Sequence, residues 1–135
     1  MYARAVDTST LRQAAPFAAL LGAEVLAAAP DEVRLQLEWT PERTTVGGGM
    51  HGGALMALAD MAGAICAFLN LPEGATGTTT IESKTNFLRA VRDGRVDAVS
   101  RPLHAGRTTI VVDTELLGPD GRLAARTTQT QAVLR

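Results

Sequence analysis

Cysteine is almost absent from this sequence. Cys66 is the only one, so no internal disulfide can form, a usage that suits a reducing compartment. An excess of one charge is missing as well. The 13 Lys and Arg residues against 14 Asp and Glu leave a net charge of -1, and neither half carries a dense basic run. Nucleic acid and anionic membrane surfaces are therefore poor candidates for the main partner. Aromatic residues reach only 4%, which leaves little from which to read the walls of a pocket. Several catalytic signatures are lacking too. There is no GxSxG, and no GKS or GKT after the glycine run. Two histidines, His51 and His104, and one cysteine lie too far apart for a zinc site, so no metal is expected. The opening residues, MYARAVDTST, hold no apolar run of the signal-peptide kind, and the expected location is the cytoplasm.

What is present fits a single domain. A chain of 135 residues is long enough for one core, and 46% apolar with 20% charged residues describes a globular protein rather than a disordered one. Residues 1 to 14 are expected to be a loosely ordered segment. LRQAAPFAALL, residues 11 to 21, reads as a short helix that starts near Pro16 or is interrupted there. Residues 23 to 29 suit a short strand. VRLQLEW, residues 33 to 39, alternates strictly, with Val33, Leu35, Leu37 and Trp39 on one face, as a half-buried strand does. Four further strands are expected at 76–90, 95–103, 107–117 and 122–133, separated by Asp93-Gly94, Ala105-Gly106 and the Pro119-Asp120-Gly121 turn. No repeat, low-complexity tract or linker divides the chain.

The most informative stretch is GGGMHGGALMALADMAG, residues 47 to 63. It opens an apolar helix expected from about residue 53 to 69, stopped by Asn70, Pro72 and Gly74. Residues 52 to 71 are long enough to span a bilayer, but Asp60 would then sit near its centre at a cost of roughly 2.5–3.5 kcal/mol. A helix inside a globular domain is the better reading. Its surface is apolar almost all round, so it is expected to be covered on most sides, and one helix is covered best by a strongly curved antiparallel sheet. Such a sheet leaves edges, one of which a second copy would hide.

Two features of this stretch carry possible chemistry. The helix N-terminus offers unpaired N–H groups and the positive end of the helix dipole, and Gly52 and Gly53 leave access to them. These donors suit an oxyanion, although glycines there equally serve a tight turn. His51 fits either a capping residue or a site residue, and His104 has no recognisable partner. Asp60 is the stronger signal. A mid-helix carboxylate has no free N–H of its own helix to accept from, so it either takes partners from elsewhere or faces a cleft as general base or nucleophile. His51 and Asp60 are nine positions apart, which on a helix means roughly 13 Å and about half a turn. If both serve one site, that site lies between two subunits.

HGGALMALADMAG resembles the signature of hotdog-fold acyl-CoA thioesterases of the phenylacetic-acid-degradation (PaaI-like) type. The likeness continues through IESKTNFLRAVRDGRVDA and HAGRTTIVVDTELLGPDGRLAARTTQT and covers roughly residues 15 to 133. It implies an α+β hotdog fold, a long central helix wrapped by a curved antiparallel sheet of five to six strands. It implies homodimers that pair into a homotetramer, and an acyl-CoA thioester, aryl or medium-chain, hydrolysed at the dimer interface without any cofactor beyond the CoA of the substrate. Carried over, Asp60 is the general base or nucleophile, the Gly52 N–H polarises the thioester carbonyl, and His51 shapes the turn. Thr80 matches the hydroxyl on the following strand, with Thr79 and Thr78 next. Gly53 and Thr45 would line the substrate site. Thr45 stands where many members of the family carry Asn, which keeps open a non-catalytic protein that only binds acyl-CoA. Lys84, Arg89, Arg92 and Arg107 are candidates for the CoA phosphates, and each also reads as an ordinary solvated charge.

Overall fold

The computed structural model describes residues 6–135. Two short helices, α1 (Thr8–Ala14) and α2 (Pro16–Leu21), lead into β1 (Glu24–Ala28) and β2 (Val33–Glu38). A single 3₁₀ turn, Pro41–Arg43, and the glycine-rich loop follow, then α3 (Gly52–Phe68) and the strands β3 (Gly77–Phe87), β4 (Arg95–Ala105), β5 (Thr109–Leu117) and β6 (Leu123–Leu134). The strands form one antiparallel sheet in the order β1-β2-β4-β5-β6-β3. Chain order and spatial order differ because α3 carries the chain from one side of the sheet to the other, leaving β3 as an edge beside the last strand.

The expected helix over 11–21 is two helices. Pro16 cannot donate an N–H to α1, so α1 stops at Ala14, and the same proline opens α2 at its first turn. α1 starts at Thr8 under a cap from Asp7, whose carboxylate accepts from the Thr10 N–H at 2.7 Å. Residues 8–14 are thus ordered, which corrects the expectation of a loose segment there; residues 1–5 lie outside the described residues. The strand expected over 76–90 ends at Phe87.

α3 packs against all of β2 to β6, which requires the sheet to curl round it. Leu55, Leu58, Ala59, Ala62, Cys66 and Ala67 make the buried side of the helix, against Val33, Leu35, Leu37, Val96, Ala98, Ile110, Val112 and Leu116. Small residues allow the close approach. Gly63 is the extreme case: a Cβ there would lie 2.3 Å from Gln129 Oε1, whose side chain is buried under the helix. Gly63→Ala is accordingly expected to lower thermal stability by about 1–3 kcal/mol, the usual cost of overpacking, readable as a lower denaturation midpoint. The helix is not covered all round, however. Met56 and Asp60 stay exposed, along a stripe next to β3. β3 itself is exposed over most of its length.

Candidate active site

The site forms where α3 runs beside β3. The loop before α3 reverses through Gly47 and Gly48, both at positive φ (89° and 85°), a conformation open to glycine without strain. The Trp39 indole donates to the Gly48 carbonyl at 3.1 Å and the Arg92 guanidinium donates to the Gly47 carbonyl, so the turn is tied down. His51 then caps the helix, its Nδ1 accepting from the Gly53 N–H at 2.8 Å. Gly53's donor is therefore used within the protomer. The Gly52 N–H has no partner among the described residues. It is an unpaired donor at the positive end of the helix.

Asp60 sits about two turns further on, on the exposed stripe. Thr80 Oγ1 lies 3.4 Å from Asp60 Oδ1, a long and weak hydrogen bond. Gln131 Nε2 in turn donates to Thr80 Oγ1 at 2.7 Å. With a lone pair of the hydroxyl taken by Gln131, the single Thr80 proton is directed at the carboxylate. Asp60 has no ion pair among the described residues. The residue as a whole is exposed, yet desolvation of its carboxylate outweighs the Thr80 bond and raises its pKa above 3.8. The carboxylate is held loosely by one long bond and is not clamped by several donors.

The direction of that shift gives a test. If Asp60 must be ionised for turnover, the acid limb of activity is expected to lie above the ordinary aspartate range. Thr80→Val removes the one donor that favours the ionised form, and the acid limb of kcat/KM is expected to move to still higher pH. A pH profile of both proteins measures this, and an unmoved limb detaches Thr80 from Asp60.

A β-bulge puts Thr80 in place. Ser83 faces the buried Gln129, and strict alternation from there would turn Thr80 to the outer face. The ladder shifts between Thr80 and Glu82, so Thr80 lands opposite Gln131, beside the helix. Thr78, two residues away, shares that face; Thr79, opposite Ala132, takes the other. Lys84 pairs with Thr128 on the outer face, away from Asp60. Arg89 follows β3 and lines a cleft with Arg92 and Arg122 near the glycine loop. Arg107 lies at the other end, in the β4–β5 turn, with its carbonyl bonded by Arg135. Thr45 is exposed in the loop, its backbone tied to Gly48 and Gly49. His51 borders a separate cleft with Phe17, Leu20, Ala54 and Ala57. One protomer therefore joins Asp60, Thr80 and Thr78 with Gln131, and holds His51, Gly52 and Thr45 apart from them. Gln131 was not foreseen, because the alternating TTQTQ run gives no sign that its glutamines are buried. Cys66 is also buried, which pushes its thiol up to about 11 and leaves it no thiolate for attack.

Comparison with known proteins bears on this arrangement. The Thioesterase superfamily matches residues 47–125, from the glycine loop into β6. A 1,4-dihydroxy-2-naphthoyl-CoA hydrolase of Escherichia coli is 36% identical over 87 residues, covering 64% of this chain and 63% of that protein. The aligned stretch of a Pseudomonas aeruginosa relative, 39% identical, spans 60% of that protein's length. Among solved structures, a mutant thioesterase from Pseudomonas aeruginosa superposes with a TM-score of 0.87 at 30% identity, covering 97% of this chain and 96% of that one. A thioesterase from Haemophilus influenzae gives 0.88 at 25% identity, covering 98% and 93%.

Proposed function

This chain belongs to the Thioesterase superfamily and has its hotdog fold, and from that premise we propose that it hydrolyses an acyl-CoA thioester, aryl or medium-chain, to the free acid and CoA. Asp60 is the catalytic carboxylate. The Gly52 N–H of a second copy polarises the carbonyl and holds the oxyanion that forms on it. Water supplies the oxygen, either activated by Asp60 or after attack by Asp60 itself. The C–S bond breaks, and the CoA thiolate leaves without needing a strong acid to protonate it. The carrying observation is Asp60 itself: desolvated, unpaired by any cation among the described residues, and hydrogen-bonded only by the Thr80 hydroxyl.

The second copy enters through spacing. Gly52 and Asp60 are eight residues apart on one helix, about 12 Å, too far to grip the same carbonyl. β3 is a long exposed edge directly beside Asp60. Pairing two β3 edges about a two-fold axis brings the turn of each copy toward the carboxylate of the other. A homodimer, with dimers pairing into a tetramer as in the phenylacetic-acid-degradation type, is part of this reading, with the arginines near the glycine loop, Arg89 and Arg92, as phosphate contacts.

A thiol-release assay over aryl and fatty acyl-CoAs tests it. Catalytic release of CoA thiol from at least one of them is the expected result. Tight binding with no thiol released would instead leave a non-catalytic acyl-CoA-binding protein, the role that Thr45 in the place of the family's usual Asn would favour.

A further inference from the structure

The seam that holds Asp60 does not end there. One turn on, α3 presents Ala64 and then Phe68, and the neighbouring strand presents Thr78 and Gly77. α1 closes the third side with Leu11 and Ala14. Together they bound a cavity of about 300 Å³ whose lining holds no charged side chain. Ala64 is about 6 Å beyond Asp60 along the helix, and Thr78 is about 7 Å from Thr80 along the strand. The cavity thus begins about one helical turn from the carboxylate read above as catalytic. Its outer wall is fixed rather than loose: the Thr8 hydroxyl accepts from the Val25 N–H at 2.9 Å, and the Arg12 guanidinium donates to the Ala23 carbonyl at 3.1 Å.

We propose that this cavity receives the acyl chain of the substrate, and that the chain is a medium-length, unhydroxylated alkanoyl group. The inference rests on reading Asp60 as the carboxylate that works on a thioester. CoA phosphates are excluded from the cavity because no cation lines it. A hydroxylated aromatic ring is disfavoured because the wall is apolar apart from the Thr10 and Thr78 hydroxyls, so a ring hydroxyl aimed anywhere else in it goes unpaired at a cost. Size sets the length: a space of about 300 Å³ takes roughly ten groups of methylene or water size, at ~30 Å³ each. That suits an acyl chain of about eight to ten carbons lying along the α3–β3 seam, with its carbonyl at Asp60.

The experiment is a chain-length series, butanoyl- to dodecanoyl-CoA, together with a hydroxybenzoyl-CoA, read as kcat/KM by thiol release. The wild-type value is expected to rise by about fourfold per methylene as each is buried, and to level off near octanoyl or decanoyl. Ala64→Phe, which fills the cavity from the helix, is expected to lower the octanoyl-to-butanoyl ratio at least tenfold. Ala14→Phe on α1 fills it from the opposite wall and is expected to lower the same ratio. Two variants on separate elements keep the test decisive if one folds poorly. Turnover that ignores chain length, or is highest for the hydroxybenzoyl thioester, overturns the acyl-chain assignment while the thioesterase reading stands. No thiol release from any of these thioesters overturns both.

Discussion

Asp60→Asn is expected to lower thioester turnover by about 10²–10⁴-fold, the range for losing a positioned acid–base group. Asparagine keeps the shape of the side chain and its contact with Thr80, so the fold should survive. Indeed the variant is expected to be more heat-stable than the parent at neutral pH. The sign follows from the raised pKa of Asp60. A carboxyl whose pKa is higher in the folded than in the unfolded chain favours folding when protonated, and that contribution is lost as pH rises through the folded value. At pH 7 the ionised acid therefore costs stability that Asn does not. The advantage of Asn should shrink as pH falls and vanish below the unfolded aspartate pKa of about 3.9. Thiol release and thermal melts at several pH values read both effects. Full activity in the Asn variant removes Asp60 from the chemistry, and a melting difference that is flat with pH removes the desolvated carboxylate from the account.

Gly52→Pro is expected to lower kcat by about 10²–10³-fold, the usual loss of one oxyanion donor. Position 52 is the first residue of α3, where proline fits a helix and gives up only an N–H that the helix does not use. His51 before it is at φ -59 and ψ 132, the extended conformation a residue preceding proline requires. The new Cβ would lie 3.1 Å from Phe87 Cζ, so the ring must give slightly. Gly52→Ala adds the same Cβ and keeps the N–H, which makes it the control: the donor is measured as the difference between Ala and Pro. Mixing the two inactive variants, Asp60→Asn and Gly52→Pro, tests where the site lies. If each site takes its carboxylate from one copy and its turn from the other, random exchange into two-fold dimers restores about a quarter of the intact sites. No recovery on mixing would place both groups in one protomer's site.

The fold was legible where single residue types carry strong physical meaning. The alanine-rich helix, its stop at Asn70 and Pro72, and the Asp-Gly and Pro-Asp-Gly turns all mark element ends by steric or conformational necessity, and a helix apolar almost all round called for the curved sheet that covers it. The candidate site was legible in Asp60 and the glycine turn, because a carboxylate in an alanine helix has few structural explanations. What the residues did not disclose lies in pairing. The bulge that turns Thr80 toward Asp60 depends on how β3 meets β6, which no local pattern in TGTTTIESK reveals. The glutamines of β6 give no local sign of burial and are buried, one holding Thr80 and the other, Gln129, lying beneath Gly63. Asp60 was expected under cover on most sides, and the protomer leaves it on an open stripe, since cover from a neighbouring molecule is not a property of one chain's periodicity.

The bulge at Thr80 has one more effect. An eleven-residue edge strand with bare N–H and C=O groups invites any passing strand, and serial addition of that kind ends in fibres. A bulged edge is bent, so a flat strand cannot zip along it. A second copy turned end for end carries the same bend, so in the proposed homodimer the two β3 edges would cover each other and leave neither open to serial addition.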